Sequence, residues 1–415
     1  MRILHVVTAW PREAGDIITP WLVALGERQA ERGHEVEVLA PSYRGLGDQR
    51  RGGVTVHRFR YAPARWERLT HDEATPDRLE RHPAYALLLP AYLVAGALAG
   101  RRLGRLRRYD AVHVHWAIPH GVAGWLAARA STRARRGGAK PSTDPGCALV
   151  TTFYSAEVRW AERRFPPAKV FLRWYCRRSR LVAISEAARA LVEPYAEGGI
   201  EIVPYGVPLP RVPAPGLERE AASAAGEPAA PTLLFVGRLV RRKGVDRLLE
   251  ALATVGERPW RLEVVGFGPE REALETQAAR LGLADRVVFL GRVPDEELVA
   301  AYGRATAFAL PATLDERADT EGLGVVLLEA MSHGVPVVAT RRGGISDIVV
   351  NGVTGILVED TVPDLARGLE RILADPEAAR AMGEAGRRRV REAFGWDSIV
   401  DRLEAIYARG LVGKG

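Results

Sequence analysis

Cysteine is scarce in this sequence. Cys147 and Cys176 are the only two among 415 residues, too few for a disulfide framework or a cysteine-based zinc site. Long hydrophobic runs are scarce too, since the longest, residues 84–100, is short for a bilayer span and contains Pro90. We interpret this run as a buried or surface-lying helix. The opening MRILHVVTAW resembles a strand and lacks the pattern of a secretory leader, so we expect a cytoplasmic protein, with peripheral contact with the inner face of a membrane left open.

Basic residues are concentrated in the first half of the chain. Residues 1–205 carry 32 Lys and Arg against 20 Asp and Glu, whereas the remainder carries 27 against 31. Such a surplus suits an acidic partner, either anionic lipid, a phosphorylated acceptor or nucleic acid. We do not expect nucleic acid, because no aromatic-interleaved motif or zinc-finger spacing accompanies the arginines. A solvated helix face is the simplest interpretation of the densest cluster, and contact with an anionic membrane surface is the main alternative. The cluster consists of Arg101, Arg102, Arg105, Arg107 and Arg108.

An alternation of strand-like and helix-like segments occurs twice. The chain is long enough for two domains of about 200 residues. The first begins with a strand over residues 2–8, a helix over 17–31 and a strand over 35–40. Residues 208–231 are rich in Pro, Ala, Gly and Glu and predict a linker. Further strands are predicted at residues 111–115, 148–153, 232–237, 261–266, 287–290, 307–310 and 336–340. The fold class is therefore α/β, with two doubly wound parallel sheets, and ligands are expected at the carboxyl ends of strands.

The loop after the strand FVGRL carries two cations. Arg238 and Lys243 are flanked by Gly237 and Gly244. A planar guanidinium and a compact ammonium at the end of a strand can clamp a diphosphate. A solvated basic loop is the alternative, because Arg241 and its neighbour show how common arginine is here.

The segment TEGLGVVLLEAMSHG, residues 320–334, predicts an anion site. Gly322 and Gly324 let backbone amides approach a ligand at what we expect to be a helix N-terminus. Glu321 and Glu329 are eight residues apart, which on one helix is about 80° around and about 12 Å along the axis. Both carboxylates could then address one elongated ligand, the first through sugar hydroxyls and the second through ribose hydroxyls. The apolar residues 325–328 argue against a solvated pair, since a buried unpaired carboxylate costs several kcal/mol.

Four successive motifs make a resemblance specific. VGRLVRRKG, VVGFGPE, TEGLGVVLLEAM and GVPVVATRRGGISDIVVNGVTGILV resemble the C-terminal domain of family 4 glycosyltransferases over most of residues 232–358. AWPREAG, ERGHEVEVLAP, HVHWAIPHG, VAISE and VPYGV resemble the N-terminal half more loosely. The resemblance implies the GT-B fold, with two Rossmann-like domains facing each other across a cleft. It also implies a nucleotide-diphosphate sugar donor, retention at the anomeric carbon, and no metal or other cofactor, because cations and a helix end stabilise the leaving diphosphate.

The same resemblance assigns domains and residues. Residues 1–207 would bind the acceptor, 232–395 would bind the nucleotide sugar, and a helix within 396–415 would return to the first domain. Arg238 and Lys243 would neutralise the leaving diphosphate, with Glu321 at the donor sugar. The donor-binding residues would be Gly15, Gly237, Gly266, Val293, Gly322, Leu323, Gly324, Val325 and Glu329.

One position departs from the family pattern. TTFYSAEV has Tyr154 where family members usually carry histidine. Tyrosine can donate a hydrogen bond to a sugar hydroxyl, but its pKa near 10 makes it a poor base. We favour a mechanism in which the departing phosphate oxygen takes the acceptor's proton on the same face. Asp16 either caps the helix expected from residue 17 or touches substrate. The acceptor cleft would contain His115, Trp116, His120 and Glu157, although each histidine is more often structural.

Three other functions account for the sequence less well. A GT-B nucleotide-sugar epimerase would leave the set of two cations and two glutamates unexplained. A Rossmann oxidoreductase lacks the third glycine of its fingerprint, where Arg271 stands. A non-catalytic nucleotide-sugar-binding protein is suggested by Tyr154. UDP is favoured over GDP, whereas the oligomeric state and the acceptor, whether lipid-linked, a saccharide or a small molecule, are left open.

Overall fold

The computed structural model describes residues 1–13, 15–16, 18–72, 75–136, 146–164, 167–207, 230–256, 258–314 and 323–411. The chain divides into two compact units. The first contains Met1–Gly206 together with Trp396–Gly415, and the second contains Val207–Gly395. The expected linker lies outside the described residues except for its last two positions.

The first unit is built on an eight-stranded sheet in the order β3-β4-β2-β1-β5-β6-β7-β8. All neighbouring strands are parallel except β3 and β4. The strands are β1 Arg2–Val6, β2 Glu35–Pro41, β3 Gln49–Arg51, β4 Val54–Phe59, β5 Ala111–His115, β6 Ala148–Phe153, β7 Arg180–Ala183 and β8 Ile200–Ile202. The helices are α1 Pro20–Glu31, α2 Thr75–Arg81, α3 Leu89–Arg107, α4 Ala117–Arg136, α5 Ala156–Arg164, α6 Pro167–Cys176, α7 Glu186–Val192 and, from the end of the chain, α15 Trp396–Leu411. The order of the strands reverses between β1 and β5, so a ligand site is expected at their carboxyl ends.

Helix α15 covers one face of this sheet. Its buried apolar residues recur at the three- and four-residue spacing of a one-sided helix, and they include Ile399, Leu403 and Tyr407. They form one core cluster with sheet residues such as Ile3 and Val150. The first unit is therefore completed by a segment from the far end of the sequence.

Helix α3 packs on α4 through glycine. The run over residues 84–100 becomes a short 3₁₀ segment, Pro83–Leu88, followed by α3, in which Pro90 occupies the first turn instead of interrupting a helix. Gly100 and Gly104 lie against the backbone carbonyls of Ala123 and Ala127, which a Cβ at either glycine would overlap. The other side of α3 is exposed, with Leu98 at 60%. The interpretation as a surface-lying helix is therefore correct.

Helix α1 begins later than expected. It starts at Pro20, and its N-cap is Thr19 in the left-handed region (φ 47°). Asp16 accepts hydrogen bonds from the backbone N–H of Arg12 (3.0 Å) and from its Nε (2.7 Å). The expectation of an Asp16 cap on a helix from residue 17 is therefore wrong. The helix begins four residues after Asp16, whose carboxylate binds Arg12 instead.

The second unit has a six-stranded parallel sheet in the order β11-β10-β9-β12-β13-β14. The strands are β9 Thr232–Val236, β10 Arg261–Val265, β11 Val287–Gly291, β12 Ala307–Leu310, β13 Val337–Thr340 and β14 Gly355–Val358. The helices are α8 Val245–Thr254, α9 Arg271–Arg280, α10 Asp295–Arg304, α11 Val325–Ser332, α12 Ile345–Ile348, α13 Val362–Ala374 and α14 Pro376–Arg389. This is the 3-2-1-4-5-6 order of the dinucleotide-binding fold, with its reversal between β9 and β12. The predicted α/β class is confirmed.

Candidate active site

The carboxyl ends of β9, β10 and β11 are held together by backbone contacts. Gly237 N–H donates to the Val265 carbonyl (2.9 Å), and Gly266 N–H donates to the Gly291 carbonyl (2.8 Å). Gly266 has φ 144°, and a Cβ there would overlap the Gly237 carbonyl oxygen. Two of the expected donor-binding glycines thus form the floor of the loops at this edge. A side chain at position 266 would separate them.

The loop after β9 places its two cations differently. Arg238 is exposed, whereas the Lys243 side chain is only 8% exposed at the end of the 3₁₀ turn Arg241–Lys243. Gly244 follows with φ 69°, and a Cβ on it would overlap the Pro311 carbonyl oxygen. The turn is therefore pressed against the chain that leaves β12, on the other side of the reversal in strand order.

Helix α11 has a glycine at its N-cap. Gly324 is its N-cap, in the left-handed region with φ 84°, and no side chain caps the first turn among the described residues. Leu323 and Gly324 are buried, and Val325 is half-buried. Since the helix begins only at Val325, the separation calculated for Glu321 and Glu329 on one helix does not apply. Glu321 and Gly322 lie outside the described residues.

Glu329 has a partner that the sequence did not indicate. The Tyr302 hydroxyl of helix α10 donates to its Oε2 at 2.9 Å. Burial raises the pKa of Glu329, and the hydrogen bond from Tyr302 acts in the opposite direction. The Tyr302 ring in turn stacks on His333 at 5.1 Å between centroids. The hydrogen bond from Tyr302 fixes the Glu329 carboxylate relative to helix α10.

A second feature of this edge was also missed. Asp360, after β14, accepts hydrogen bonds from Thr313 Oγ1 (3.0 Å) and from Arg342 Nε (3.2 Å), and it is paired with Arg247. These contacts tie together the loops after β12, β13 and β14. No sequence motif marked Asp360, because its partners come from three separate segments.

An exposed aromatic ring lies beside Gly266, one of the expected donor-binding residues. Phe267 follows Gly266 and is 50% exposed, and the guanidinium of Arg292 lies 4.6 Å from its ring centroid. Val293, the next residue, is half-buried. A flat ring with a cation over it is a surface on which a planar heterocycle could stack.

In the first unit, aromatic rings gather at the carboxyl ends of β5 and β6. Trp116 follows β5 and Tyr154 follows β6, and their rings stack at 4.5 Å with an interplanar angle of 26°. Tyr205 stacks on Tyr154 as well, at 5.7 Å. Trp116 (φ 66°) and Ser155 (φ 81°) both adopt the left-handed region, a strain that is common at functional sites.

The two expected cleft histidines are buried. His115 Nδ1 lies 2.6 Å from the Tyr154 hydroxyl, and His120 Nε2 lies 3.1 Å from Thr8 Oγ1. Burial lowers the pKa of His120 to about 3 and that of His115 well below its ordinary value. Both imidazoles are therefore neutral and already hydrogen-bonded, which suits a structural role better than that of a base in contact with solvent.

Glu157 lies in the first turn of helix α5. Its Oε1 accepts a hydrogen bond from the Tyr154 backbone N–H at 3.0 Å, while its Oε2 is buried without a hydrogen-bond partner in the described part of the chain. Burial raises the pKa of this carboxyl to about 7.

Gly15, one of the expected donor-binding residues, is exposed with φ 87°, and a Cβ there would meet open space.

Two protein-family models match the two halves of the chain. The family model described as Glycosyltransferase Family 4 matches residues 21–211, and the one described as Glycosyl transferases group 1 matches residues 219–389. A GDP-mannose-dependent alpha-(1-6)-phosphatidylinositol monomannoside mannosyltransferase of Mycolicibacterium smegmatis is 32% identical over 418 residues, 97% of each chain. A D-inositol 3-phosphate glycosyltransferase of Nocardiopsis dassonvillei is 31% identical, over 93% of this chain and 88% of the relative.

Solved structures show the same architecture. Sucrose-phosphate synthase from Thermosynechococcus elongatus aligns with a TM-score of 0.71 at 23% identity, covering 99% of both chains. Anabaena HepE in complex with UDP and glucose aligns with a TM-score of 0.65 at 19% identity, covering 99% of this chain and 100% of that one. At these identities the likeness concerns the fold alone.

Proposed function

The chain belongs to the family 4 glycosyltransferases of the GT-B fold, and on that premise we propose that it transfers mannose from GDP-mannose to a lipid-linked, phosphorylated inositol acceptor. The observation that carries the choice of substrates is the 32% identity over 97% of both chains to a relative named for that donor and such an acceptor. The sequence alone favoured UDP. GDP now takes its place in the proposal, because that relative matches along the whole chain.

We assign the donor to the second unit. The buried residue Lys243 and the uncapped first turn of α11 lie on the two sides of the reversal in strand order, where anions bind in this fold. Arg238 extends the positive charge towards solvent. The ring of Phe267 would stack on the guanine, and Glu329 would bind the ribose. Glu321 would meet the mannose.

We further propose that transfer proceeds with retention and needs no metal. Two cations and a helix terminus supply the electrostatic stabilisation of the leaving diphosphate. In the first unit, burial raises the pKa of Tyr154 and lowers the pKa of His115, so neither is suited to take a proton at neutral pH. The departing phosphate oxygen would therefore accept the proton of the attacking hydroxyl on the face that the diphosphate leaves.

Helix α3 supports a lipid-linked acceptor. Pro83–Arg107 is the one segment of the described chain long and apolar enough to cross a membrane, with a mean hydropathy of 1.5 over its most apolar stretch. Its glycines pack on α4, however, and a spanning orientation would strip that contact. We propose instead that the exposed face lies on an anionic membrane. That face presents Leu87, Leu93, Val94, Leu98 and Leu106, and five arginines occupy the C-terminal end, at residues 101, 102, 105, 107 and 108.

A groove beside α3 adds to this surface. It has a volume of about 810 Å³ between α3 and the end of β4, and it combines apolar walls such as Phe59 and Leu103 with the cations Arg102 and Arg107. Apolar walls next to cations match the chemistry of a phospholipid, which carries acyl chains beside a phosphate.

Transfer assays with a crossed set of donors and acceptors test the proposal. GDP-mannose, UDP-glucose and UDP-N-acetylglucosamine would each be offered with phosphatidylinositol and its monomannoside in anionic vesicles. We expect mannosylation of an inositol lipid from GDP-mannose, with an α-linked product by NMR. Thermal stabilisation by UDP-sugars alone would contradict the donor assignment. Donor binding without turnover would instead indicate a nucleotide-sugar-binding protein, and interconversion of the free nucleotide sugar would indicate an epimerase.

A further inference from the structure

A continuous set of hydrogen bonds lies beneath Tyr154 in the first unit. We call it the imidazole circuit; its members are Tyr154, His115, His5, Gln29, Tyr407, His113 and Thr152. From Tyr154 the distances are 2.6 Å from its hydroxyl to His115 Nδ1, 3.0 Å from His115 Nε2 to His5 Nδ1, and 2.7 Å from His5 Nε2 to Gln29 Oε1. The path continues with 3.3 Å from Gln29 Nε2 to the Tyr407 hydroxyl, 2.7 Å from there to His113 Nδ1, and 2.7 Å from His113 Nε2 to Thr152 Oγ1. Every member is buried.

The three imidazoles of the circuit are neutral. Burial lowers the pKa of His5 to about 4 and lowers the pKa of His113 and His115 well below the ordinary value. A neutral imidazole has one nitrogen that donates and one that accepts. When both nitrogens are hydrogen-bonded, the direction of one bond therefore determines the direction of the other.

The orientation of the Gln29 amide gives all six bonds one consistent direction. Its amide oxygen can only accept, so His5 carries its proton on Nε2 and accepts at Nδ1 from His115 Nε2–H. His115 Nδ1 is then an acceptor, and Tyr154 donates its hydroxyl proton to it. On the other arm the Gln29 amide N–H donates to Tyr407, which donates to His113 Nδ1, and His113 Nε2–H donates to Thr152. All three imidazoles share the Nε2–H tautomer, and a half-turn of the amide would reverse every bond.

His5, His113 and His115 also have the proximity expected of metal ligands, with donor atoms within 4.8 Å of one another. Each of their six ring nitrogens already lies within hydrogen-bond distance of a protein partner. A buried dication would have to displace these partners, and the circuit supplies no carboxylate to balance its charge. The hydrogen-bond interpretation accounts for all six nitrogens without an ion.

We propose that Gln29 is a positioning residue that fixes the polarity of the imidazole circuit, so that Tyr154 directs its proton inward to His115 and has only oxygen lone pairs left, which the neighbouring Trp21 indole and a bound substrate can reach. Tyr154 would then recognise a hydroxyl that donates a hydrogen bond, such as the attacking hydroxyl of the acceptor, and this last assignment rests on the proposed function. The sequence had suggested the opposite role, in which tyrosine donates to a sugar hydroxyl.

The tautomers can be measured directly in the full-length protein. Protein labelled with ¹⁵N-histidine gives separate chemical shifts for a protonated and an unprotonated ring nitrogen. We expect His5, His113 and His115 all to show Nε2–H and unprotonated Nδ1 at pH 7. An Nδ1–H tautomer, an averaged shift or an imidazolium at any of the three would overturn the proposal. This measurement needs no activity, so it holds or fails separately from the proposed function.

A pair of variants then tests Gln29 itself. Gln29→Met removes the amide at similar length, and we expect His5 and His115 to lose their single tautomer. The KM for the lipid acceptor should rise by about three- to tenfold, the effect of one hydrogen bond, with the KM for GDP-mannose unchanged. Tyr407→Phe is the matched control, because it cuts only the arm that leads away from Tyr154 and should change the shifts of His113 alone. Unchanged His5 and His115 tautomers in Gln29→Met would refute the role of the amide.

Discussion

Replacing Lys243 by methionine tests the electrostatic part of the proposed reaction. The side chain is 8% exposed, on a turn that Gly244 holds against Pro311. Methionine keeps the length of the side chain and removes only the ammonium, so the turn should keep its shape. An unfolding curve of the variant separates loss of the ammonium from loss of the fold.

The size of the effect follows from where charge develops. Two unit charges about 4 Å apart attract by about 4 kcal/mol at an effective dielectric constant of 20. A single preorganised donor at a developing anion is worth roughly 10²–10³ in kcat. The intact donor already carries two phosphate charges, and a third develops on the leaving oxygen. We therefore expect kcat to fall by about 10²–10³-fold and the affinity for GDP-mannose to fall by only about tenfold.

Initial rates at saturating lipid acceptor, together with calorimetric titration of GDP-mannose, separate the two quantities. Arg241→Met is the matched control, since Arg241 is an exposed cation of the same turn. It should leave kcat within about twofold. A Lys243→Met enzyme with the wild-type kcat, or one that loses donor affinity and kcat in equal proportion, would refute the clamp on the leaving diphosphate.

Four further outcomes are expected. Tyr154→Phe should lower kcat/KM for the acceptor by about tenfold, less than Lys243→Met, and acceptor titrations at fixed donor measure this. Burial raises the folded-state pKa of Glu157 to about 7 from its ordinary 4.5. Between these two pH values the native state binds a proton that the unfolded state releases, so stability is lost as pH rises from about 4.5 to about 7. Glu157→Gln should remove up to roughly 3 kcal/mol of this pH dependence in unfolding curves recorded at pH 5 and pH 8. Leu98→Asp should weaken sedimentation with anionic vesicles without lowering the unfolding temperature, and equal binding by both proteins would contradict the membrane face. Gly104→Ala should cost about 1–3 kcal/mol in urea unfolding because its Cβ overlaps the Ala127 carbonyl.

The repeated α/β pattern was readable because buried parallel strands are short apolar runs between helical segments. The runs at residues 111–115, 148–153 and 307–310 predicted β5, β6 and β12 with the bounds that the structure has. The start of α1 was misplaced because Arg12 binds the carboxylate of Asp16, a contact between side chains that no local pattern indicates. Strands β3, β4, β7, β8 and β14 were not predicted. Four of them have only three or four residues, and β4 alternates apolar side chains such as Val54 and Val56 with polar ones instead of forming an apolar run.

The residues of the proposed donor site were easier to place from the sequence than the residues that support them. Gly237, Lys243 and Gly324 stand in motifs within a few residues of a strand or helix end, so their placement follows from local structure. Tyr302 and Asp360 act through partners distant in sequence, and one chain alone does not reveal such pairs.

Only part of the imidazole circuit could be placed from the sequence. His113 and His115 alternate on β5, which places both on one face of the sheet. That His5 joins them depends on the pairing of β1 with β5, where His5 lies opposite His113. The order of strands in a sheet is a property of the whole fold, so the sequence did not show that the three histidines lie together.

Helix α15 imposes an order on folding during synthesis at the ribosome. A nascent chain that has reached Gly206 already contains all eight strands of the first sheet, yet the face with Ile3 and Val150 still lacks its cover. The covering residues follow only after Val207–Gly395 has been translated, about 190 residues later, which takes roughly 10–40 s at ordinary elongation rates. During that interval the half-made protein exposes an apolar sheet, and we expect it to depend on chaperones until Ile399, Leu403 and Tyr407 emerge.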